Sequence, residues 1–429
     1  MSDVFVGVDL GTSGCRACAL DENGGSIAAA SVSFDAERAG DPACWWRAVN
    51  EVLRELVAGM DARRIAALAV DGTSGSVLVT DARGEPLAPP LMYSDARAAE
   101  EAALIARIAP RDSAAAHGAT ASLAKLLWLR KRVAAERLRQ VQHQADWVMG
   151  RLLGRFGLSD ENNCLKLGYD PVSRRWPAWL NALDIDPRLL PEVYPAGTAV
   201  GTIDPQIARS LGLPAHIRIV TGTTDSVAGF IATGATRPGE AVTSLGSTLA
   251  LKVISERPVC APEHGIYSHR LGDLWLAGGA SNTGGAVLCQ FFSQAELDAM
   301  TPRLQPGQPT GLDYYPLPAR GERFPQREPG LAPRLEPRPP EDLRFFQGIL
   351  EGIAAIEREG YARLHALGAP YPARVRTVGG GARNPAWAQI RQRLLGVPVT
   401  NLMSSDAALG AALLARSGVT ETSIKQAIT

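Results

Sequence analysis

Val4-Phe5-Val6-Gly7-Val8-Asp9-Leu10-Gly11-Thr12-Ser13-Gly14 decides the fold of this chain. A short apolar strand runs into a turn that offers what a nucleotide phosphate needs. Gly11 and Gly14 allow close backbone approach and φ > 0. Thr12, Ser13 and the turn amides can donate to phosphate oxygens. Asp9, at the strand end, can hold a hydrated Mg²⁺. Val242-Thr243-Ser244-Leu245-Gly246-Ser247-Thr248-Leu249-Ala250 repeats the pattern of strand, Gly/Ser/Thr turn and strand. Two such hairpins in two halves of one chain suggest a nucleotide held between two related domains.

A length of 429 residues is too great for one hydrophobic core. Lys plus Arg and Asp plus Glu both number 44, so charge points to no polyanion partner and no nucleic acid. The N-terminus lacks a basic segment followed by an apolar one, and no apolar run approaches a membrane span. A cytoplasmic location away from membranes is therefore expected. The six cysteines include Cys15-Arg-Ala-Cys18, but this pair lies on a strand, with no second pair for zinc. The oligomeric state stays open, a homodimer among the options.

Outward from the first hairpin, strands are expected at 4–9, 15–20 and 26–34. A helix is expected over 42–59, opened by Asp41-Pro42. The apolar run Ile65–Val70 reads as a strand buried on both faces, followed by another over 76–80. Residues 97–155 read as mostly helical. In the second half, Asn282-Thr283-Gly284-Gly285 is expected to open a helix running to about 295. Residues 303–343 are Pro- and Gly-rich and read as an ordered rim. A helix over 342–367 precedes a strand at 375–378, and Gly379-Gly380-Gly381-Ala382-Arg383-Asn384 is expected to lead that strand into a helix N-terminus. A final Ala/Gly-rich helix begins at Asp406 and can pack closely on the sheet.

Ile219-Val220-Thr221-Gly222-Thr223-Thr224-Asp225-Ser226 ends an apolar strand in hydroxyls and a carboxylate. Asp225 is either a helix N-cap or a general base that takes a proton from an alcohol. Polar groups for a polyol are expected at Asp71, Gly72, Thr73 and Ser74, and in Tyr93-Ser94-Asp95-Ala96-Arg97.

These residues resemble the FGGY carbohydrate kinases. The matching strings include VDLGTSG at 8–14, HQADW at 143–147, SDENNCLKLGYDP at 159–171, TGTTDS at 221–226, AVTSLGSTLALK at 241–252, LDYYPL at 312–317 and GGGARN at 379–384. Within that family the chain is most similar to the D-ribulokinase branch of cyanobacteria and plants, once called xylulose kinase-like. The resemblance implies an α/β architecture of two actin-like (ribonuclease H-like) ATPase domains with an interdomain cleft. It implies a sugar-side domain over 1–234 and a nucleotide-side domain over 235–429. The implied reaction is ATP- and Mg²⁺-dependent phosphorylation of D-ribulose to D-ribulose 5-phosphate. Asp225 is the implied base, and Asp9 lies by substrate and metal. Thr12, Gly72, Thr73 and Ser74 complete the sugar side. Thr12, Ser13, Gly246, Ser247, Thr248, Gly285, Gly379, Gly380, Gly381 and Asn384 are expected around the nucleotide. Typical xylulokinases carry Met-His where this chain has Ser74-Gly75. That departure points away from D-xylulose. Other readings stay open: a kinase for D-xylulose, L-ribulose or a pentitol, a non-catalytic sugar or nucleotide sensor, and an ATPase that drives a partner protein.

Overall fold

The computed structural model describes residues 2–402 and 406–420. The chain divides into two compact units. The first holds the chain up to Gly234, Arg270–Gly272 and the segment from Asp406; the second begins at Ala235 and holds the rest.

In the first unit the strands are β1 (Val4–Leu10), β2 (Gly14–Leu20), β3 (Ser26–Ser33), β4 (Ile65–Gly72), β5 (Val77–Thr80), β6 (Gln140–His143), β7 (Leu158–Asp160), β8 (Glu192–Tyr194), β9 (Ala199–Thr202) and β10 (Arg218–Val220). Six of them form a mixed sheet in the order β3-β2-β1-β4-β10-β9. Its centre, β1 with β4 and β4 with β10, is parallel. Every residue of β1 is buried, as a central strand covered on both faces requires. β5 does not join this sheet; it pairs with β6 in a separate two-stranded ribbon.

The first unit's helices up to Gly234 are α1 (Pro42–Ala58), α2 (Ala99–Ile108), α3 (Ser122–Arg130), α4 (Gln144–Leu153), α5 (Pro205–Leu211) and α6 (Asp225–Ile231). α1 starts as its sequence dictates: Asp41 accepts from the Ala43 N–H at 2.9 Å, and Pro42 takes the first helical position. Its buried stripe of Trp45, Val49, Val52, Leu53 and Leu56 packs under the sheet. A second cluster, including Val77, Val79, Leu123, Leu126, Leu127 and Val141, forms around the β5–β6 ribbon.

The helix Ala407–Thr420 packs on β1, β2, β4 and α6. It therefore belongs with the first unit, whereas the sequence boundary assigned 235–429 to the second. Its approach is backbone to backbone. A Cβ on Gly7 would overlap the Ala408 carbonyl and the Ala412 amide, and one on Gly410 would overlap the Ala228 carbonyl. The Ala and Gly content of this helix is thus a packing requirement.

The second six-stranded sheet, which belongs to the second unit apart from the Arg270–Leu271 end of β13, has strands β11 (Glu240–Leu245), β12 (Leu249–Ser255), β13 (Tyr267–Leu271), β14 (Leu274–Ser281), β15 (Arg374–Val378) and β16 (Val399–Asn401), in the order β13-β14-β12-β11-β15-β16. The second unit's helices are α7 (Gly285–Leu288), α8 (Gln294–Met300), α9 (Asp342–Ala366) and α10 (Pro385–Leu395). The helix expected up to 295 breaks after Leu288, and α8 starts afresh on Ser293, whose hydroxyl accepts from the Glu296 N–H. At the centre of this unit Arg391 donates twice to Glu357, at 2.6 and 2.7 Å, with both side chains almost fully buried. Thr243 donates to the same carboxylate at 2.6 Å. The pair ties α9, α10 and β11 together. A buried ion pair of this kind survives only when its remaining polar atoms are also bonded.

The Gly7→Ala variant is expected to lose about 3 kcal/mol, at the upper end of overpacking effects, because the atoms it meets are backbone and cannot rotate away. Gly59→Ala, whose Cβ would meet only Leu56 O at 3.9 Å, serves as the control. Urea midpoints at equal slope measure both. Equal midpoints would show that the helix is not held against β1.

Candidate active site

Parallel pairing puts Asp9 of β1 directly opposite Asp71 of β4, and Leu10 opposite Gly72. Residues so paired point their side chains to the same face. Gly72 bridges in parallel to Thr224, which delivers Asp225 to the same strand ends. Thr224 occupies the N-cap position of α6 and Asp225 is the first helical residue. Asp225 is half-buried, and its Oδ1 accepts from the Ser226 N–H at 2.6 Å. Thr224 holds the N-cap position, but its side chain makes no capping bond.

Asp9 is 5% exposed and Asp71 fully buried. Burial pushes the Asp9 carboxyl upward, against the lowering effects of Asp71 and Arg16. Asp71 is driven well above the carboxylate range by burial and then by the charge of Asp9, with Asp225 and Asp406 adding to it. Arg16 reaches Asp9 at 3.4 Å, but its side chain is 59% exposed and its hold is weak. Thr12 and Ser13 lie in the turn beyond Asp9, where Gly11 donates its amide to Gly14 O at 2.9 Å. Neither glycine takes a positive φ, contrary to the sequence expectation. Gly14 is needed instead because a Cβ there would meet Val32 O at 2.5 Å on β3.

Three side chains hold the turn that follows β4. Gln144 Oε1 accepts from the Thr73 amide at 3.1 Å and from its hydroxyl at 2.7 Å. Lys125, fully buried, donates to Gly75 O and Met92 O, each at 2.7 Å. Lys166 donates to Ser74 O at 2.9 Å. Thr73 also pairs its hydroxyl with Ser76 at 2.5 Å, so this side chain serves the scaffold, while Ser74 is half-buried at the bend. Gln144 is itself placed by the start of α4, where Asp146 accepts from the His143 backbone at 3.0 Å and from its ring Nδ1 at 2.7 Å. Asp160 accepts from the amides of Asn162 and Asn163, and burial followed by the charge of Asp146 raises its carboxyl to about 6. The strings HQADW and SDENNC thus build a polar floor beneath the turn. Asp95 is closed onto Arg97 at 2.8 Å; burial alone would raise its carboxyl, but the Arg97 bonds hold it low.

Sequence reasoning missed Gln144, Lys125 and Lys166. The signal for Lys125 was available, since an ammonium inside Leu123-Ala-Lys-Leu-Leu127 needs buried acceptors.

In the second unit, parallel pairing of Ser244 with Val378 brings the turn Gly246-Ser247-Thr248 beside Gly379. Gly379 sits at φ +88°, where a Cβ would meet Leu245 O at 2.6 Å. The Gly285 and Ala286 amides donate to Gly246 O and Ser247 O at 2.8 and 3.2 Å, so these N–H groups are not open to a phosphate. Residues 246–248 and 379–380 are exposed. The glycines run into a 3₁₀ turn, Gly380–Arg383, and α10 begins only at Pro385. Asn384 caps α10 by accepting from the Trp387 N–H at 2.9 Å. Its side-chain oxygen is therefore occupied by the helix.

Two α/β units, each gathering small polar residues at the ends of parallel strands, make a two-domain protein. Family models agree: the N-terminal domain of the FGGY family of carbohydrate kinases matches residues 4–232, and its C-terminal domain matches 241–418. The chain belongs to the FGGY family of carbohydrate kinases. It is 26% identical to the xylulose kinase of Escherichia coli K12 over 96% of this chain and 90% of that one. It is 26% identical to the L-fuculokinase of Salmonella typhi over 98% and 93%. Among solved structures, a xyloylose kinase from Brucella ovis superposes with a TM-score of 0.89 at 25% identity, covering 99% of this chain and 92% of that one. These likenesses give a two-domain sugar kinase that uses ATP. They favour xylulose kinases in general and do not single out the D-ribulokinase branch.

Two outcomes are expected. Gly380→Val should weaken ATP binding in calorimetric titration with the melting temperature unchanged, because a Cβ there meets nothing nearer than Arg383 Nη2 at 3.7 Å. Gly381→Val should unfold more easily instead, since its Cβ would sit 2.7 Å from Leu245 Cβ and 2.9 Å from Trp387 Cζ3. Unaltered ATP affinity in a stable Gly380→Val would remove this turn from the nucleotide site.

The second outcome concerns pH. Burial and the charge of Lys166 lower the Lys125 ammonium to about 8, against 10.5 in the unfolded chain. Between these values the unfolded chain binds more protons, so stability contributed by this group rises with pH. The melting temperature of the wild type relative to Lys125→Met should climb from pH 8 to 10. A flat difference would mean that the ammonium is not desolvated.

Proposed function

We propose that this chain transfers the γ-phosphoryl group of ATP to the terminal hydroxyl of a ketopentose, D-ribulose, giving D-ribulose 5-phosphate. The observation that carries the reading is Asp225: a half-buried carboxylate on the first residue of α6 that lies beside the buried Asp9–Asp71 pair. Asp225 takes the hydroxyl proton, the sugar oxygen forms its bond to phosphorus, and the bond to the bridging β–γ oxygen breaks to release ADP. The Ser74 bend, held from beneath by Gln144, Lys125 and Lys166, faces the sugar. Asp9 suits a hydrated Mg²⁺, because it is a buried carboxylate held only weakly by Arg16, whose side chain is mostly exposed. When bound, Mg²⁺ would offset charge on the transferring phosphoryl group. Thr12 and Ser13 are the phosphate donors of the first unit. Gly246-Ser247-Thr248 and Gly379-Gly380-Gly381 hold the nucleotide, with room at Gly380 for a flat group. The reading places the enzyme in the cytoplasm; among the described residues, no helix is long and apolar enough to cross a membrane.

D-Ribulose is preferred over D-xylulose because Ser74-Gly75 stands where xylulokinases carry Met-His, and because of the long strings shared with the D-ribulokinase branch. The second reading, a D-xylulose kinase, is favoured by the names of the relatives from Escherichia coli and Klebsiella pneumoniae.

ADP release across ketopentoses and pentitols tests both. D-Ribulose should give the highest kcat/KM, since a polyol site rejects an isomer by leaving buried polar groups unpaired. A preference for D-xylulose would overturn the first reading in favour of the second. In the same assay Asp225→Asn should lose about 10²–10⁴ in kcat with its melting temperature kept. Near-normal turnover would leave the mechanism without a base.

A further inference from the structure

Asp71 is the least expected residue of the first unit. Its side chain is fully buried, and neither carboxylate oxygen has a hydrogen-bond partner. It lies opposite Asp9 in the β1–β4 register and within hydrogen-bonding reach of it. While both are ionised, neither carboxylate has a hydrogen to donate to the other. A buried carboxylate persists when it is paired, protonated or bound to a metal.

The surrounding charges separate these options. Asp225 and Asp406 add negative charge to the pair, and among the strongest influences on it only Arg16 is positive. Arg16 touches Asp9, not Asp71, through a mostly exposed guanidinium. A single shared proton would cancel one of four negative charges and leave two of the four oxygens of the pair without a bond to it. A divalent cation cancels two and can take an oxygen from each side chain. Mg²⁺ is commonly held by one or two carboxylates, with water and phosphate filling the other positions. No group of three or more His, Cys, Asp or Glu side chains able to hold a metal occurs among the described residues, so a cation here would take at most two of these side chains.

We propose that Asp71 is a second protein ligand to a divalent cation at Asp9, so that the strand-end pair forms a metal site before any nucleotide arrives. This deepens the kinase reading by naming a further residue toward its metal. The site requires carboxylates at both paired positions.

Mn²⁺ is the probe. Its binding to the full chain is followed by electron paramagnetic resonance of free Mn²⁺, with no ATP and no sugar present. The wild type is expected to bind Mn²⁺, with Mg²⁺ competing, and to melt at a higher temperature when either is added. Asp71→Asn should lose at least tenfold in Mn²⁺ affinity and its metal-induced melting shift, while melting normally without metal. Asp71→Ala serves as a second variant should the amide perturb folding, and the same loss is expected. Either variant binding Mn²⁺ as tightly as the wild type would overturn the proposal, as would a wild type that binds no Mn²⁺ without nucleotide. In both cases the pair would instead share a proton. Because no sugar or ATP enters the measurement, the metal site stands or falls separately from the assignment of substrate.

Discussion

Where β1 meets the helix Ala407–Thr420 there is no room for side chains. Gly7 and Gly410 let the backbones touch directly, on Ala408 and Ala412 in one case and Ala228 in the other. This contact presses a helix from the far end of the sequence onto the central strand and onto α6. The strand ends that carry Asp9, Asp71 and Asp225 are positioned by the same layer. Burial of β1 on both faces follows from it, and burial is the first cause of the raised Asp9 and Asp71 carboxyls. One steric constraint therefore reaches from packing to electrostatics.

The two units solve a common problem with different materials. In the first, the polar residues at the strand ends are charged and desolvated, and a floor of Gln144, Lys125 and Lys166 fixes the backbone above them. In the second, the strand ends carry exposed glycines and small hydroxyls, and the interior holds the buried Arg391–Glu357 pair and the aromatic cluster around Phe345. Charge is concentrated at the strand ends of one unit and bare backbone at those of the other.

The Pro-rich segment between α8 and α9 gains its order from buried side chains, not regular structure. Glu322, 3% exposed, accepts from Ser281 at 2.5 Å and from the Asn282 amide at 2.8 Å. Tyr314 reaches back to Pro337 O, and Thr283 to Pro316 O. These bonds anchor the rim to the end of β14, close to where α7 begins. The first amides of α7 are taken up by the Gly246 turn.

The sequence by itself determined the local elements and the family. The hairpins at 4–20 and 240–255, the capped helix α1 and the long helix α9 follow from apolar period, turn residues and caps. Those signals lie within a few residues of one another and need no tertiary partner. The candidate base, Asp225, and the two glycine turns were legible for the same reason. Only the tertiary structure decided which polar groups meet. Thr73 went to the scaffold because Gln144, 71 residues away, competes for its hydroxyl. Asn384 went to a helix cap, and β5 to its own ribbon. Asp71 became the partner of Asp9 through register between strands separated by more than fifty residues. A one-residue shift in that register would send the carboxylates to opposite faces of the sheet, and register is set by packing across the whole layer.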